Sequence, residues 1–197
     1  MPATHVTIIR GRTALDVIAL NRRLIDSLEE LMSLGSPFVT VRTRSDYWLY
    51  ATLFSSTCPV AVEHGRLVGA AIAMRSQQDP GDVYLQDIVV HPQHRRQGIA
   101  RALLTVVAAQ AGRWGCTRIY LTCEPHNEAA VRTWERMGLR NLPGDTSVHG
   151  VQVISNFKGP GKHRAVYQLD LQPSDSRERS RPPRRPDQGN TGATAHE

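Results

Sequence analysis

The sequence predicts a mixed α/β domain of the α+β type, in which helices flank a largely antiparallel sheet. Three observations favour this fold class. Several short segments alternate between apolar and polar residues or are rich in β-branched side chains, as strands are. Two of these segments are joined by a tight turn, which is typical of a hairpin. Longer segments have apolar residues at helical spacing, and hydrophobic residues make up 40% of the 197 positions, enough for a packed core.

The amino-terminal part predicts one strand followed by two helices. Residues 5–10 alternate between apolar and polar side chains, as a half-buried strand does. Residues 13–35 carry leucine and isoleucine at helical spacing, with a threonine at the start and a glycine at the end as capping residues. Residues 45–56 also predict a helix, with Ser45 or Asp46 as the expected N-cap.

The middle of the chain predicts three consecutive strands. Residues 59–76 form two apolar runs on either side of the turn sequence EHGR, which predicts a hairpin. A second turn, DPGD at 79–82, precedes the sequence VYLQDIVV at 83–90. Because branched and aromatic residues dominate this segment, it is expected to be the next strand.

The carboxy-terminal half predicts two helices and further strands. Residues 97–112 have apolar side chains on one helical face, and residues 118–124 are typical of a strand. Residues 127–139 predict a second helix, with Asn127 as its N-cap and a glycine near its end. The remaining expected strands are 151–157 and 164–171.

Composition divides the chain into a folded part and a tail. Residues 4–171 hold all of the expected elements and predict one domain. Residues 172–197 are dominated by arginine, proline, serine and glycine and have almost no large apolar side chain. Such a segment cannot bury enough surface to offset its chain entropy, so a disordered tail is expected.

Charge and composition narrow the classes of partner. The net charge of +6 suits an anionic ligand, such as a phosphate-bearing cofactor or a nucleic acid. Because the chain has no helix-turn-helix, zinc-finger or RNA-binding pattern, we expect no nucleic acid partner. Three cysteines do not make a disulfide framework, and no apolar run is long enough to cross a bilayer. We expect a cytoplasmic protein, monomeric or homodimeric, without a membrane partner.

The sequence HPQHRRQGIARALL at 91–104 predicts an anion site. It joins an expected strand to an expected helix, whose first backbone N–H groups have no partner within the helix. Gly98 and Ala100 leave room for a phosphate to approach these groups, and Arg95 and Arg96 add positive charge. The alternative is an ordinary helix start with solvated arginines.

Two motifs carry a resemblance to a known family. The segment IVVHPQHRRQGIARALL resembles the acetyl-coenzyme A-binding motif of the GNAT N-acetyltransferases, [Q/R]-x-x-G-x-[G/A], with Arg95, Gly98 and Ala100 at the defining positions. Downstream, NEAAVRTWERMGL resembles the family's second motif, N-x-x-A-x-x-x-Y-x-x-x-G-F. The matching residues there are Asn127, Ala130, Gly138 and Leu139. The resemblance implies a GNAT-like mixed sheet flanked by helices.

The resemblance also implies a division of roles within an acetyl-coenzyme A site. Asn127 is expected near the thiol end of the cofactor, and Trp134 would either shape the thiol pocket or simply pack. The pantetheine arm would pair with the backbone of Ile88, Val89 and Val90. The pyrophosphate would be held by the backbone of Arg95, Arg96, Gln97, Gly98, Ile99, Ala100 and Arg101. The implied reaction is direct transfer, in which an amine attacks the thioester within a ternary complex.

The chain departs from the family pattern at the catalytic positions. Trp134 stands where the family has a tyrosine that acts as the acid, and an indole N–H donates a hydrogen bond but does not give up its proton. Gln86 stands at the commonest position of the glutamate base. Strand alternation lets only one of Gln86 and Asp87 face the cleft, so Asp87 is the predicted base. Glu63, Glu124 and the histidines are the alternatives.

Other pairs of residues are compatible with a metal or a covalent intermediate. His91 and His94 form an H-x-x-H pair, and Cys123 and His126 form a C-x-x-H pair, and such pairs can bind zinc. The resemblance places the cofactor at the histidine pair, so no metal is expected. Cys123 on a strand is expected to be an inert packing residue rather than a nucleophile.

The acceptor is predicted to be a small primary amine. The aromatic residues of 45–56 can hold an amine or pack the helix on the sheet, and Lys158, Lys162 and Arg164 can meet a carboxylate. The run LFSSTCPVAVEHGRLVG resembles the diaminobutyrate acetyltransferases through F-x-x-T-C-x-V-A and the following L-V-G. The alternatives are a protein or peptide acceptor and a non-catalytic acyl-coenzyme A-binding module.

Overall fold

The computed structural model describes residues 6–10 and 13–171. The tail predicted at 172–197 lies outside these residues. The described residues form ten strands and four α-helices. The strands are β1 (Val6–Arg10), β2 (Thr13–Ala19), β3 (Pro59–Glu63), β4 (Arg66–Arg75), β5 (Asp82–Val90), β6 (Arg118–Cys123), β7 (Arg140–Asn141), β8 (Thr146–Val148), β9 (Val151–Val153) and β10 (Ala165–Asp170). The helices are α1 (Ile25–Ser33), α2 (Arg44–Leu53), α3 (Ile99–Arg113) and α4 (Glu128–Arg136).

Eight strands form one sheet in the order β1-β2-β3-β4-β5-β6-β10-β7, and β8 and β9 form a separate two-stranded ribbon. All neighbours in the large sheet are antiparallel except β5 and β6, which are parallel. The predicted fold class, a largely antiparallel mixed sheet flanked by helices, is therefore confirmed. The single parallel pair exists because α3 crosses over between β5 and β6.

The helices pack on opposite faces of the sheet and create two hydrophobic cores. On one face, α3 and α4 bury side chains such as Leu103 and Trp134. On the other face, α1 and α2 bury side chains such as Leu28 and Tyr47. The central strand β4 contributes alternate residues to both cores, which explains its nearly continuous apolar sequence.

The helix predicted over 13–35 is wrong in its first half. Residues Thr13–Ala19 form β2, which pairs with β1 on one side and β3 on the other. Leu15 and Val17 are fully buried at a spacing of two, so the strand period decides the structure here, and Thr13 is not a helix cap. Asn21 instead caps a short 3-10 turn that leads into α1.

The other boundary errors are smaller. The N-cap of α2 is Thr43 rather than Ser45 or Asp46, and Asp46 completes a capping box by accepting the Thr43 backbone N–H at 3.0 Å. The strand predicted over 151–157 is shortened to β9, and β7 and β8 were not predicted at all. Strands of two or three residues are too short to show a periodic pattern.

Two irregularities of β5 shape the centre of the molecule. In the pairing of β4 with β5, Ile72 lies opposite Asp87 and Ala73 lies opposite Leu85, so Gln86 is an extra, bulged residue. The pairing of β5 with β6 ends where Leu85 lies opposite Leu121. Both strands continue beyond this point, so they diverge and leave a cleft at the middle of the sheet.

Close packing of β4 on α3 gives a first prediction. A Cβ added at Gly69 would lie 2.7 Å from Ile99 Cγ2, at the first residue of α3, and 3.3 Å from Leu103 Cδ1. We expect Gly69→Ala to lower the free energy of unfolding by about 1–3 kcal/mol, measured by urea denaturation, because α3 must move away from the sheet.

Gly112→Ala is the matched control. An added Cβ at Gly112 meets no atom within 4 Å, and the residue lies near the end of the same helix. Alanine there should leave stability unchanged or raise it by about 0.5–1 kcal/mol. Equal losses in the two variants would show that contact with α3 is not what excludes a side chain at Gly69.

Candidate functional site

A cavity of about 680 Å³ lies beside the part of β5 that has left β6. Residues of β5, the following loop, α3, α4 and the loop after α1 line it. The loop after α1 reaches across to the loop before α4, where the ring centroids of Phe38 and His126 lie 5.8 Å apart. The predicted cofactor-binding residues found in the cavity wall are Ile88, Val89, Val90, Arg95, Arg96, Gly98, Ile99, Ala100, Arg101, Asn127 and Trp134.

Gln97 is the predicted cofactor-binding residue that does not line the cavity. Its side-chain Nε2 donates a hydrogen bond to the carbonyl oxygen of Gln93 at 3.3 Å. The cofactor role of each of these residues stays a prediction, since the sequence motif supplies the role and the fold supplies only the common location.

The loop between β5 and α3 presents backbone N–H groups to the cavity. Arg96 and Gly98 both have positive φ, at 62° and 75°, and Gly98 is the N-cap of α3. The first helical hydrogen bond of α3 runs from the Ala102 N–H to the Gly98 carbonyl at 3.0 Å. The N–H groups of the three residues between them therefore have no helical acceptor, and the helix dipole favours an anion there.

Positive charge dominates the wall of the cavity. Five arginines line it, and the lining residues within the described chain include no aspartate or glutamate. The arginines are Arg95, Arg96, Arg101, Arg132 and Arg136. Such an excess of positive charge suits a ligand with several phosphate groups.

The second motif supplies the opposite wall. Asn127 caps α4 as predicted, with its Oδ1 accepting the Ala130 N–H at 3.1 Å. Trp134 is 7% exposed, and its Nε1 is buried beside the Cys123 thiol, a weak acceptor. Burial raises the pKa of Cys123 to about 12, and the contact with Trp134 opposes this rise. Cys123 therefore stays a neutral thiol rather than a nucleophile.

Asp87 lies at the β5 bulge, beside the cavity. Its side chain is 10% exposed, and burial raises the pKa of its carboxyl group above the usual range. The Gln86 amide, which donates to Asp87 Oδ2 at 3.2 Å, and Arg42, whose Nη2 lies 3.8 Å from that oxygen, oppose the rise. Desolvation outweighs these contacts, so the carboxyl group is a stronger base than an exposed aspartate.

The expectation that only one of Gln86 and Asp87 faces the cleft is wrong. The two side chains are hydrogen-bonded to each other, and the Gln86 amide also donates to the Tyr50 hydroxyl at 3.0 Å. The bulge adds one residue to β5 and cancels the alternation at this point, so both side chains face α2.

Further polar side chains surround Asp87 on the same face of the sheet. The Lys158 Nζ donates to the Tyr84 hydroxyl at 2.6 Å, and Tyr84 shares a hydrogen bond with the Thr122 hydroxyl at 3.1 Å. The Nε of Arg42 is buried without a hydrogen-bond partner. Sequence reasoning named Lys158 but missed Arg42 and Tyr84, because their nearness to Asp87 depends on contacts between distant segments.

The two alternative carboxylates each have a close basic partner. The Glu63 carboxylate lies 3.1 Å from His94 Nε2, and the Glu124 carboxylate lies 3.0 Å from Arg164. The His94 Nδ1 in turn lies 3.4 Å from the Nδ1 of His91. Asp87 also has a cationic neighbour, Arg42, but at the longer distance of 3.8 Å, and burial raises the pKa of its carboxyl group.

The aromatic residues of α2 divide between packing and the site. Tyr47 is fully buried, and its hydroxyl accepts the Arg42 backbone N–H at 3.0 Å, whereas the Tyr50 hydroxyl reaches the site through Gln86. Trp48 is 41% exposed, and the Arg22 guanidinium lies 5.3 Å from its ring centroid. Tyr47 and Phe54 therefore pack in the core, Tyr50 reaches the site, and Trp48 lies at the surface.

Within the described ranges, no set of three or more histidine, cysteine, aspartate or glutamate side chains is arranged to hold a metal ion. None of the helices in those ranges combines the length and apolarity that crossing a bilayer requires.

Comparison with known proteins assigns the chain to a family. The family model described as acetyltransferase (GNAT) matches residues 25–139, which is more than half of the chain. The chain belongs to the GNAT family. The matched range includes both motifs and the cavity wall of this GNAT protein. The predicted family membership and the prediction of an N-acetyltransferase are thereby confirmed.

Curated relatives of this GNAT protein include two acetyltransferases. GCN5-related N-acetyltransferase 4 of Arabidopsis thaliana is 33% identical over 66 residues, and the match covers 34% of this chain and 23% of that protein. L-2,4-diaminobutyric acid acetyltransferase of Vibrio cholerae is 22% identical over 149 residues, covering 76% of this chain and 86% of that protein.

Among solved structures, the diaminobutyrate acetyltransferase of Paenibacillus lautus superimposes with a TM-score of 0.65 and 23% identity. The match covers 80% of this GNAT chain and 95% of that one. It shows that the two proteins share a fold.

The glycine at the start of α3 gives a second prediction. We expect Gly98→Ala to weaken binding of coenzyme A about tenfold or more, measured by calorimetry. The substitution strains a residue with φ of 75° and places a methyl group where backbone N–H groups face the cavity.

Gly115→Ala is the control, because Gly115 has φ of 71° at the other end of α3, away from the cavity wall. The two variants should lose similar stability, and Gly115→Ala should keep its affinity for coenzyme A. Unchanged affinity in Gly98→Ala would refute the phosphate-binding role of the loop.

Proposed function

We propose that this protein transfers an acetyl group from acetyl-coenzyme A to the primary amine of a small, amino-acid-like acceptor. The observation that carries this proposal is the position of Asp87. It is a buried carboxyl group with a raised pKa, at the β5 bulge where the strands diverge beside an arginine-lined cavity. Residues 4–171 would form the acetyltransferase domain, since the family match and the described elements fall within this range.

The arginine-lined cavity is the proposed donor site. The phosphates of acetyl-coenzyme A would lie against the N–H groups at the start of α3, next to Arg95 and Arg96. The part of β5 beyond Leu85 has left β6, so its backbone would pair with the pantetheine arm as an added strand would. A coenzyme A complex is known for the structural neighbour from Paenibacillus lautus.

The proposed reaction is direct nucleophilic transfer. The acceptor amine attacks the thioester carbonyl, a carbon–nitrogen bond forms, and the carbon–sulfur bond breaks with the electron pair leaving on sulfur. Asp87 takes the proton that the nitrogen loses. Trp134 Nε1, a buried donor whose neighbour here is the weakly accepting Cys123 thiol, would hydrogen-bond the cofactor sulfur, and water would protonate the thiolate.

The residues around Asp87 support an acceptor with both an amine and a carboxylate. Arg42 and Lys158 come from different loops, and both lower the pKa of Asp87 through their charge. A carboxylate on the acceptor would pair with the guanidinium of Arg42. The Nε of Arg42 has no hydrogen-bond acceptor in this structure. L-2,4-Diaminobutyrate, the substrate named for two of the similar proteins, is the first acceptor to test.

A non-catalytic acyl-coenzyme A-binding module is the second candidate. Trp134 favours it, because an indole cannot protonate the leaving thiolate as a tyrosine would. Thiol release by the wild-type protein with a panel of small amines and peptides distinguishes the two. Binding of acetyl-coenzyme A without thiol release on any acceptor would favour the module, and release with peptides alone would favour a protein acceptor.

Asp87→Asn gives a third prediction. We expect kcat to fall about 10²–10⁴-fold, because the amine loses its base. In the wild type, kcat/KM should rise with pH until Asp87 is deprotonated. Because the pKa of Asp87 is raised, this rise should occur at higher pH than for an exposed aspartate. The rise should be absent in Asp87→Asn, as measured by initial rates between pH 4 and 8.

Asp170→Asn is the control for charge removal. Asp170 lies at the end of β10, where Arg140 lowers the pKa of its carboxyl group. This variant should keep the wild-type rate and pH profile. A pH profile shared by Asp87→Asn and the wild type would exclude Asp87 as the base.

A pair of acceptors that differ only in a carboxylate gives a fourth prediction. 1,3-Diaminopropane is diaminobutyrate without its carboxyl group. We expect the wild type to favour diaminobutyrate by about tenfold or more in kcat/KM, mainly through KM, because a charged hydrogen bond is lost with the smaller amine. Arg42→Gln should remove this preference.

Arg66→Gln, at the turn between β3 and β4, is the matched control, because it removes an exposed arginine outside the cavity wall and should keep the preference. Retention of the full preference in Arg42→Gln would show that another group binds the carboxylate.

A further inference from the structure

A second group of cations in the cavity wall comes from the helices rather than from the loop that precedes α3. Arg132 and Arg136 lie on α4, four residues apart and therefore on one helical face, and both belong to the cavity wall. Arg101 of α3 lines the cavity beside them. We call these three residues the α4 arginine cluster. Neither Arg132 nor Arg136 occupies a defining position of the second sequence motif.

Backbone contacts fix this cluster in place. The Arg101 Nη2 donates to the carbonyl oxygen of Arg136 at 2.6 Å, which ties the start of α3 to the end of α4. The Nε of Arg136 donates to the carbonyl oxygen of Arg132 at 2.9 Å. The Arg136 guanidinium is thus oriented through Nε, and its two terminal nitrogens stay available for a bidentate contact with a phosphate.

Arg136 is the central member of the cluster. Arg132 Nη1 lies 3.0 Å from the Glu128 carboxylate, an exposed pair within α4 that already offsets its charge. Arg101 is occupied by the Arg136 carbonyl oxygen. Arg136 has no carboxylate partner among the described residues, although it also complements the negative carboxy-terminal end of α4.

The charges in the cavity exceed what a pyrophosphate requires. The N–H groups at the start of α3, together with Arg95 and Arg96, already form a complete site for such a group. The α4 arginine cluster is therefore suited to bind a second anion. Coenzyme A carries one in its 3′-phosphate, a monoester with a charge of about −1.5 to −2 at pH 7.

We propose that Arg136, flanked by Arg101 and Arg132, forms a separate phosphomonoester site that binds the 3′-phosphate of coenzyme A. The protein then selects coenzyme A over dephospho-coenzyme A, which has the same pyrophosphate and pantetheine but lacks this phosphate. The inference rests on the proposed donor, acetyl-coenzyme A, and does not depend on the acceptor or on the base.

The test compares the two ligands in calorimetric titrations of the full chain. The wild type should bind coenzyme A about tenfold or more tightly than dephospho-coenzyme A. Arg136→Gln should weaken coenzyme A binding by about that factor and leave dephospho-coenzyme A binding unchanged, so that the ratio of the two affinities approaches one. Arg136→Lys, which keeps the charge but loses the planar fork, should give an intermediate ratio. Arg66→Gln should keep the wild-type ratio.

Three results would overturn the inference. The first is equal affinity of the wild type for both ligands. The second is equal weakening of both ligands in Arg136→Gln, which would place Arg136 at the pyrophosphate. The third is a lower melting temperature of Arg136→Gln at an unchanged affinity ratio, which would give Arg136 only a stabilising role at the end of α4.

Acetyl-transfer assays separate this inference from the proposed function. Wild-type selectivity for the phosphate without turnover on any amine would contradict the proposed function and support the inference. Turnover of an amine together with equal affinity for the two ligands would support the proposed function and contradict the inference.

Discussion

The divergence of β5 and β6 is the constraint on which the rest of the site depends. Two parallel neighbours stay paired only as far as Leu85 and Leu121, and both then continue as separate edges inside the sheet. An edge inside a protein leaves backbone groups to be satisfied. A ligand in the adjoining cavity can form hydrogen bonds with the backbone groups of β5. Pairing of β5 with β4 and of β6 with β10 holds the two strands in place.

The walls of this cleft are held by contacts on both sides. Gly69 lets α3 approach β4 closely, and this fixes where the first N–H groups of α3 point. Arg101 then joins α3 to the end of α4 through the Arg136 carbonyl. The result is a cationic wall built from two helices that are separated in sequence by β6. A cofactor with several phosphates is the ligand that such a wall suits, since its charges are distributed over both helices.

The acceptor side balances burial against charge. Burial raises the pKa of Asp87, while Gln86, Arg42 and Lys158 act against that rise. A carboxyl group whose pKa is raised is a stronger base towards an amine than an exposed aspartate. In the proposed reaction Trp134 would offer the sulfur a hydrogen bond but no transferable proton, so water would protonate the thiolate.

The sequence by itself determined the features that depend on local residues: the hairpin at EHGR, a helix over 97–112 that corresponds to α3, the cap of α4 at Asn127 and the family. These follow from turn chemistry, capping and motif spacing, all of which act over a few residues. Only the tertiary structure decided that 13–19 pairs as a strand, that the bulge turns both Gln86 and Asp87 to one face, and that Arg42 reaches Asp87. Those outcomes depend on contacts between segments that are distant in sequence. Local hydrophobic periodicity and motif spacing do not determine such contacts.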